Sequence, residues 1–128
     1  MNQVIEGIIT SGMGKGAIFM SIDYYKNKIK EKLDFEPYPG TLNLKIDRED
    51  HNLMKNKNTV RIESFKEGNK NYGGATCIKI NIDDLQGAII IPDLTEHDPE
   101  MVEIISPLNL KSELNIQDGS KVRIELLQ

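Results

Sequence analysis

The sequence predicts a mainly-β fold, a compact β-barrel with short peripheral helices, on three observations. Six or seven short segments alternate apolar and polar residues or run as β-branched stretches between turn residues. Only two segments carry a helical spacing of apolar residues. The regular helix–strand alternation of a doubly wound sheet is missing. Ile is over-used, with 18 residues against 4 Val, a skew of the kind coding bias produces, so periodicity rather than Ile content carries these assignments.

Taken in order, Val4–Thr10 is a β-branched run interrupted by Gly7, a strand with a possible bulge site at the glycine. Ser11–Gly16 is a glycine-rich loop, and Ile18–Met20 reads as a second short strand. Asp23 is placed to cap a helix over Tyr24–Asp34, where Tyr25, Ile29 and Leu33 fall at i, i+4 and i+8. Two prolines and a glycine in Glu36–Gly40 end it. Thr41–Ile46 alternates, with Leu42, Leu44 and Ile46 on one face, as a half-buried strand does. Asp47–Asn58 is polar and without clear period, and strand patterning resumes at Thr59–Phe65. Lys66–Lys70 reads as a hairpin turn into Tyr72–Ile82, in which Ile78, Ile80 and Ile82 alternate. Gly87–Ile91 is a short apolar strand stopped by Pro92, and Met101–Ile105 is another. Ser106-Pro107 suits an N-cap followed by Pro at the first helical position, ahead of Leu110 and Leu114. Asp118-Gly119 turns the chain into Lys121–Leu126, whose Val122, Ile124 and Leu126 face one way.

A chain of 128 residues is expected to form one domain, residues 1–128, able to bury about two-thirds of its unfolded surface. Sixteen basic against twenty acidic residues leave a formal charge of −4, which argues against a nucleic-acid partner, since such binders need a basic excess to displace counterions. The longest purely apolar stretches are a few residues long, so no membrane span is expected. Residues 1–20 lack a basic segment followed by an apolar run, so no signal peptide is expected. The single Cys77 excludes an intrachain disulfide and a cysteine zinc site. The expectation is a reduced, cytoplasmic, monomeric domain.

Three segments have the composition to carry chemistry. In Gly12-Met13-Gly14-Lys15-Gly16-Ala17, glycines at alternate positions let backbone N–H groups converge on phosphate oxygens, with Lys15 adding a positive charge. A Rossmann fingerprint would need a helix next, and a Walker A loop would need Gly-Lys-Ser/Thr after a four-residue spacer; neither is present. Read alone, the string is equally a flexible hairpin. Thr41 and Asn43 are two apart on a strand, so both side-chain oxygens lie on the face opposite Leu42 and Leu44. A hydroxyl and an amide are hard oxygen donors suited to Mg²⁺ whose charge substrate phosphates balance. Taken alone, two polar residues on an exposed face is the simpler account. Glu103 interrupts the apolar run Met101–Ile105 and faces opposite Val102 and Ile104. Exposure to solvent is the ordinary expectation; a pocket there would suit general-base use. His97 in its loop and His51 lack metal-ligand spacing, and Cys77 reads as a small core residue.

Read together and in register, these segments resemble the archaeal CTP-dependent riboflavin kinases. The resemblance rests on Ser11–Gly16, then Phe35-Glu36-Pro37-Tyr38-Pro39-Gly40-Thr41-Leu42-Asn43-Leu44. It continues through Gly87-Ala88-Ile89-Ile90-Ile91-Pro92, Thr95-x-His97 and Glu103-Ile104-Ile105-Ser106-Pro107-Leu108-Asn109-Leu110, and covers about residues 4–127. It implies a six-stranded, closed, cradle-loop β-barrel. It implies transfer of the γ-phosphate of CTP to the ribityl hydroxyl of riboflavin, giving FMN and CDP. By the same resemblance, Gly12, Met13, Gly14, Lys15, Gly16 and Ala17 bind the CTP phosphates, and Leu108, Asn109, Leu110 and Lys111 contribute to the nucleotide pocket. Thr41 and Asn43 hold one Mg²⁺, Thr95 and Glu103 contact the flavin, and Glu103 is the candidate base.

Two other readings compete. A non-catalytic flavin- or nucleotide-sensing module on the same barrel has no need for the Thr41–Asn43 metal pair. An AbrB-like DNA-binding barrel is suggested by the closing pattern Leu110-x-x-x-Leu114-x-Ile116-x-Asp118-Gly119-x-x-Val122, but a charge of −4 with three Arg fits it poorly.

Overall fold

The computed structural model describes residues 3–10, 22–54, 59–93 and 100–127. In chain order the elements are β1 (Gln3–Thr10), α1 (Asp23–Leu33), β2 (Leu42–Ile46), α2 (Arg48–Met54), β3 (Val60–Ile62) and β4 (Phe65–Glu67). They continue with β5 (Lys70–Tyr72), β6 (Ala75–Ile82), β7 (Leu85–Pro92), β8 (Met101–Ile105), α3 (Leu110–Leu114) and β9 (Lys121–Leu126). Six strands close into an antiparallel barrel in the ring order β6-β7-β8-β2-β1-β9, with β9 returning to β6. The closed six-stranded barrel and its short peripheral helices match the expectation from sequence.

Closure works because β6 is shared along one edge. Its first residues, Ala75–Cys77, pair with β3, and its last, Ile80–Ile82, pair with Leu126, Glu125 and Ile124 of β9. The two-residue turn Asp83–Asp84, with φ of 50° and 67°, joins β6 to β7, as hairpins that follow the strand twist require. The period-2 patterns then sort themselves. Ile5 and Ile9, Leu42, Leu44 and Ile46, Ile78, Ile80 and Ile82, Val102 and Ile104, and Ile124 and Leu126 meet in one buried cluster, joined by Met54 of α2 and Leu110 of α3. Gly7 belongs to this inward face of β1. A Cβ there would lie 3.1 Å from Ile46 Cγ2 and 3.2 Å from Leu44 Cβ. The glycine therefore serves close packing, and β1 pairs with β9 without interruption through Gly7, where its pairing with β2 begins, instead of bulging.

A second apolar cluster lies outside the barrel. Tyr25, Ile29 and Leu33 of α1, with Phe35, pack on Ile62, Ala75, Cys77, Ala88, Ile90 and Ile105. The small side chains Ala75, Cys77 and Ala88 let a helix approach this wall closely. Cys77 is fully buried, and burial pushes its thiol up to about 12, so it is a packing residue as expected. The β4–β5 hairpin is pinned to α1 by aromatic rings: Phe65 stacks on Tyr24 with centroids 4.8 Å apart, and the Tyr24 hydroxyl donates to the Glu63 carbonyl at 2.7 Å.

Several local expectations change. The first helix begins at Asp23, with Ile22 at the N-cap and no capping side chain, so Asp23 acts through its charge in the first turn. It ends at Leu33, because Asp34 turns left-handed with φ of 64°. The aperiodic stretch after β2 contains α2, a short helix whose packing contact is Met54. The strand patterns at 59–65 and 72–82 are each shorter than read: β3 stops at Ile62, and the Gly73-Gly74 pair separates β5 from β6. Ser106 does not cap the last helix. Asn109 does, its Oδ1 accepting from Ser112 N–H, while the Ser106 hydroxyl donates to the Gln86 carbonyl at 2.7 Å. The short strand expected at Ile18–Met20 lies outside the described residues.

At the end of β7, the Arg61 guanidinium makes a forked contact with the Asp93 carboxylate, and its Nη1 also reaches Thr76 Oγ1 at 3.3 Å. The Asp93 N–H donates to the Gly74 carbonyl at 3.0 Å. Gly74 is needed at this crossing: a Cβ would lie 2.6 Å from Arg61 Nη2 and 2.7 Å from the Ile62 carbonyl oxygen. Gly74→Ala is expected to destabilise the fold by about 1–3 kcal/mol, the usual cost of overpacking, read by denaturant melts; an unchanged midpoint would contradict this crowding. The Arg61 fork holds the Asp93 carboxyl below its ordinary value. A carboxyl with a lowered folded value stabilises the fold above its unfolded value, and the contribution fades as pH falls through the folded one. Asp93→Asn should therefore melt lower than the parent at pH about 7, with the gap closing towards pH about 2. The gap should be small, because both partners are about 40% exposed. A gap independent of pH would contradict the carboxylate's role.

Candidate functional site

Thr41, Asn43 and Glu103 meet on the outer wall of the barrel where β2 pairs with β8. The register sets Leu42 against Ile104, Asn43 against Glu103, and Leu44 against Val102. Leu42, Leu44, Val102 and Ile104 fill the interior, so the alternation sends Thr41, Asn43 and Glu103 outward together. Glu103 is nevertheless only 4% exposed. The expectation of a solvated side chain fails because the outer wall here is itself covered. Glu103 stands opposite Ile90 on β7 and next to Ile105, both members of the cluster under α1.

The Thr41 hydroxyl donates to Glu103 Oε1 at 3.1 Å. That bond uses the hydroxyl proton and leaves the oxygen its capacity to accept. Thr41 and Asn43 are both half-buried, so their oxygens are reachable from solvent. The Thr41 hydroxyl and the Asn43 amide form a neutral pair of oxygen donors, which fits a hard divalent ion that takes the rest of its coordination from phosphate and water. Among the described residues no group of three His, Cys, Asp or Glu side chains could hold a metal ion, and His51 lies on α2. An ion here would therefore depend on Thr41 and Asn43.

A cleft of about 70 Å³ opens beside Thr41, lined by Tyr38, Gly40 and Leu42 on one side and by Ser106, Leu108 and the Asn109–Lys111 segment on the other. The structure thus brings Leu108, Asn109, Leu110 and Lys111 to the same place as Thr41, although they lie more than sixty positions apart in the chain. Ser106 organises the second wall. Its hydroxyl donates to Gln86, its Oγ accepts from Leu108 N–H at 3.2 Å, and its carbonyl accepts from Tyr38 N–H at 2.7 Å. Lys111 places its ammonium 3.0 Å from Asp118 Oδ1. Tyr38 and Ser106 are lining residues the sequence reading missed. Pro37-Tyr38-Pro39-Gly40 reads as a helix terminator, and the signal within it was an aromatic residue held between two prolines.

The remaining expected site residues lie outside the described residues: Gly12, Met13, Gly14, Lys15, Gly16 and Ala17, and also Thr95 and His97. The last described residue before the glycine-rich string, Thr10, pairs in register with Asn43.

Comparison with known proteins points the same way. The family model CTP-dep_RFKase, described as domain of unknown function DUF120, matches residues 9–126. A protein of Methanosarcina acetivorans named riboflavin kinase is 34% identical over 121 residues, 92% of this chain and 51% of that protein. Another of the same name from Pyrobaculum aerophilum is 37% identical over 124 residues, 94% of this chain and 59% of that protein. A third, from Methanocella arvoryzae, is 37% identical over 123 residues, 96% of this chain and 56% of that protein. The chain spans a little over half the length of these curated relatives. With the barrel, the β2–β8 wall and a match across nearly its whole length, the chain belongs to the CTP-dependent riboflavin kinase family.

Proposed function

We propose that this chain phosphorylates riboflavin, taking the γ-phosphate of CTP and giving FMN and CDP, with a Mg²⁺ ion at Thr41 and Asn43. The observation that carries the reading is the Thr41–Glu103 hydrogen bond with Asn43 in register opposite Glu103, on a wall that adjoins the Leu108–Lys111 cleft. The names of the family and of its relatives supply the substrate class.

The chemistry asks little covalent work of the protein. The flavin's terminal hydroxyl oxygen forms a bond to the γ-phosphorus, the bond from that phosphorus to the β-phosphate bridging oxygen breaks, and the hydroxyl proton must leave. Glu103 is assigned to orient that hydroxyl and to accept its proton, handing it on to water after transfer. Burial of the carboxylate keeps competing water away from it, and the Thr41 hydroxyl holds Oε1 in place. Backbone N–H groups of Gly12–Ala17 and the charge of Lys15 are assigned the phosphates. Thr95 is assigned a flavin contact. When bound, the divalent ion neutralises developing charge on the phosphate oxygens. Among the described residues no helix is long and apolar enough to cross a membrane.

The direct test is incubation with riboflavin and Mg²⁺, split between CTP and ATP, with FMN separated by chromatography. FMN with CTP and little with ATP is expected, and none without a divalent ion. FMN from ATP alone would overturn the donor. No FMN from either, with flavin binding intact, would favour a sensing module. Glu103→Gln should lower turnover by about 10²–10⁴-fold, the range for a positioned general base; near-normal turnover would remove that role.

A further inference from the structure

Tyr38 stands at the mouth of the cleft with 40% of its surface exposed, yet three separate restraints hold it. Its N–H donates to the Ser106 carbonyl at 2.7 Å. Its ring lies over Gly40, where a Cβ would be 3.3 Å from Tyr38 Cε1. Its hydroxyl accepts from Asn109 Nδ2 at 3.2 Å. The Asn109 amide is itself oriented, because its Oδ1 caps α3 at Ser112. Fixing an exposed aromatic side chain costs rotamer entropy and gains little from partial burial. Such restraint preorganises a flat face for a ligand ring.

The surroundings indicate which ring. Lys111 is the one charged side chain among the cleft's described lining residues, and its ammonium is held by Asp118. The cleft therefore offers little to a triphosphate. Its other lining residues are uncharged, apolar ones such as Leu108 and Leu110 beside the polar Thr41, Ser106 and Asn109. At about 70 Å³ it is far below the roughly 300–1,000 Å³ that encloses a whole ligand. It admits the edge of an uncharged heterocycle, whose plane must then lie over the mouth, against Tyr38.

We infer that Tyr38 is a specificity-determining residue that receives the nucleotide base, its ring serving as the stacking platform that Asn109 and Gly40 hold in place. This rests on the kinase reading above. Binding of CTP and CDP by calorimetry, and of riboflavin by its fluorescence, tests it on the full chain and on Tyr38→Ala and Tyr38→Phe. Tyr38→Ala should weaken CTP and CDP by the same factor, about 5- to 100-fold as for loss of a base–aromatic stack, and leave riboflavin affinity unchanged. Tyr38→Phe keeps the ring and should stay within about 3-fold of the parent for both nucleotides. If Tyr38→Ala does not fold, Tyr38→Leu, apolar but not planar, is read in its place. Unchanged nucleotide affinity in the ring-less variant, a loss confined to CTP, a loss of riboflavin instead, or failure of Tyr38→Phe to retain affinity would each overturn the platform. A parent chain that binds neither nucleotide would sink the kinase reading itself, and this inference with it.

Discussion

Closure of the sheet through the pairing of β6 with β9 is the constraint on which the rest of the structure depends. Ile80–Ile82 hydrogen-bond along β9, and the ring then leaves its strands one sealed face and one outer face. The sealed face accepts only apolar side chains, with Gly7 and Gly87 where Leu44, Ile46 and the Ile105 carbonyl press closest. Polar groups that do chemistry are consequently confined to the outer wall and the rims. The candidate site is on the wall.

An outer wall would ordinarily be wet, and a wet carboxylate beside two polar residues is unremarkable. The difference here is the second apolar cluster. The small residues Ala75, Cys77 and Ala88 let α1 sit down on β6–β8, and Ile90 and Ile105 extend that dry zone to the edge of Glu103. Glu103 is thereby buried while its neighbours across the β2 register, Thr41 and Asn43, remain half open. Its carboxylate is dry on one side and accepts from the Thr41 hydroxyl on the other. The aromatic contacts of Tyr24, Phe65 and Tyr72 hold the β4–β5 hairpin against the same helix, so the cover over the wall is stiffened from its far edge.

Much of this is legible in the chain because two-residue periodicity reports directly on which face is buried. Leu42, Leu44 and Ile46, then Ile78, Ile80 and Ile82, then Val122, Ile124 and Leu126 all point inward as their alternation requires. The i, i+4, i+8 spacing of Tyr25, Ile29 and Leu33 likewise marks the face of α1 that is buried. Legibility fails where a residue's role is set by something distant in sequence. Glu103 reads as exposed because alternation knows one buried face, and nothing local announces that the outer face is covered here as well. Ser106 reads as a helix cap from its own neighbourhood, but its hydroxyl is taken by Gln86 and Asn109 caps instead. Helix α2 is invisible because seven polar-rich residues with one buried Met carry no period.

By itself, then, the sequence determined the class of fold, the inward faces of the barrel strands, and which residue types could serve phosphate or a metal ion, because these follow from local alternation and side-chain chemistry. Only the tertiary structure decided that Thr41 bonds to Glu103 across sixty-two positions and that Asn43 faces Glu103 in register. It alone decided that Tyr38 lies over a cleft shared with Leu108–Lys111. The reason is physical: strand register and the covering of an outer face are properties of pairs of segments, and no single segment carries the energy that selects its partner.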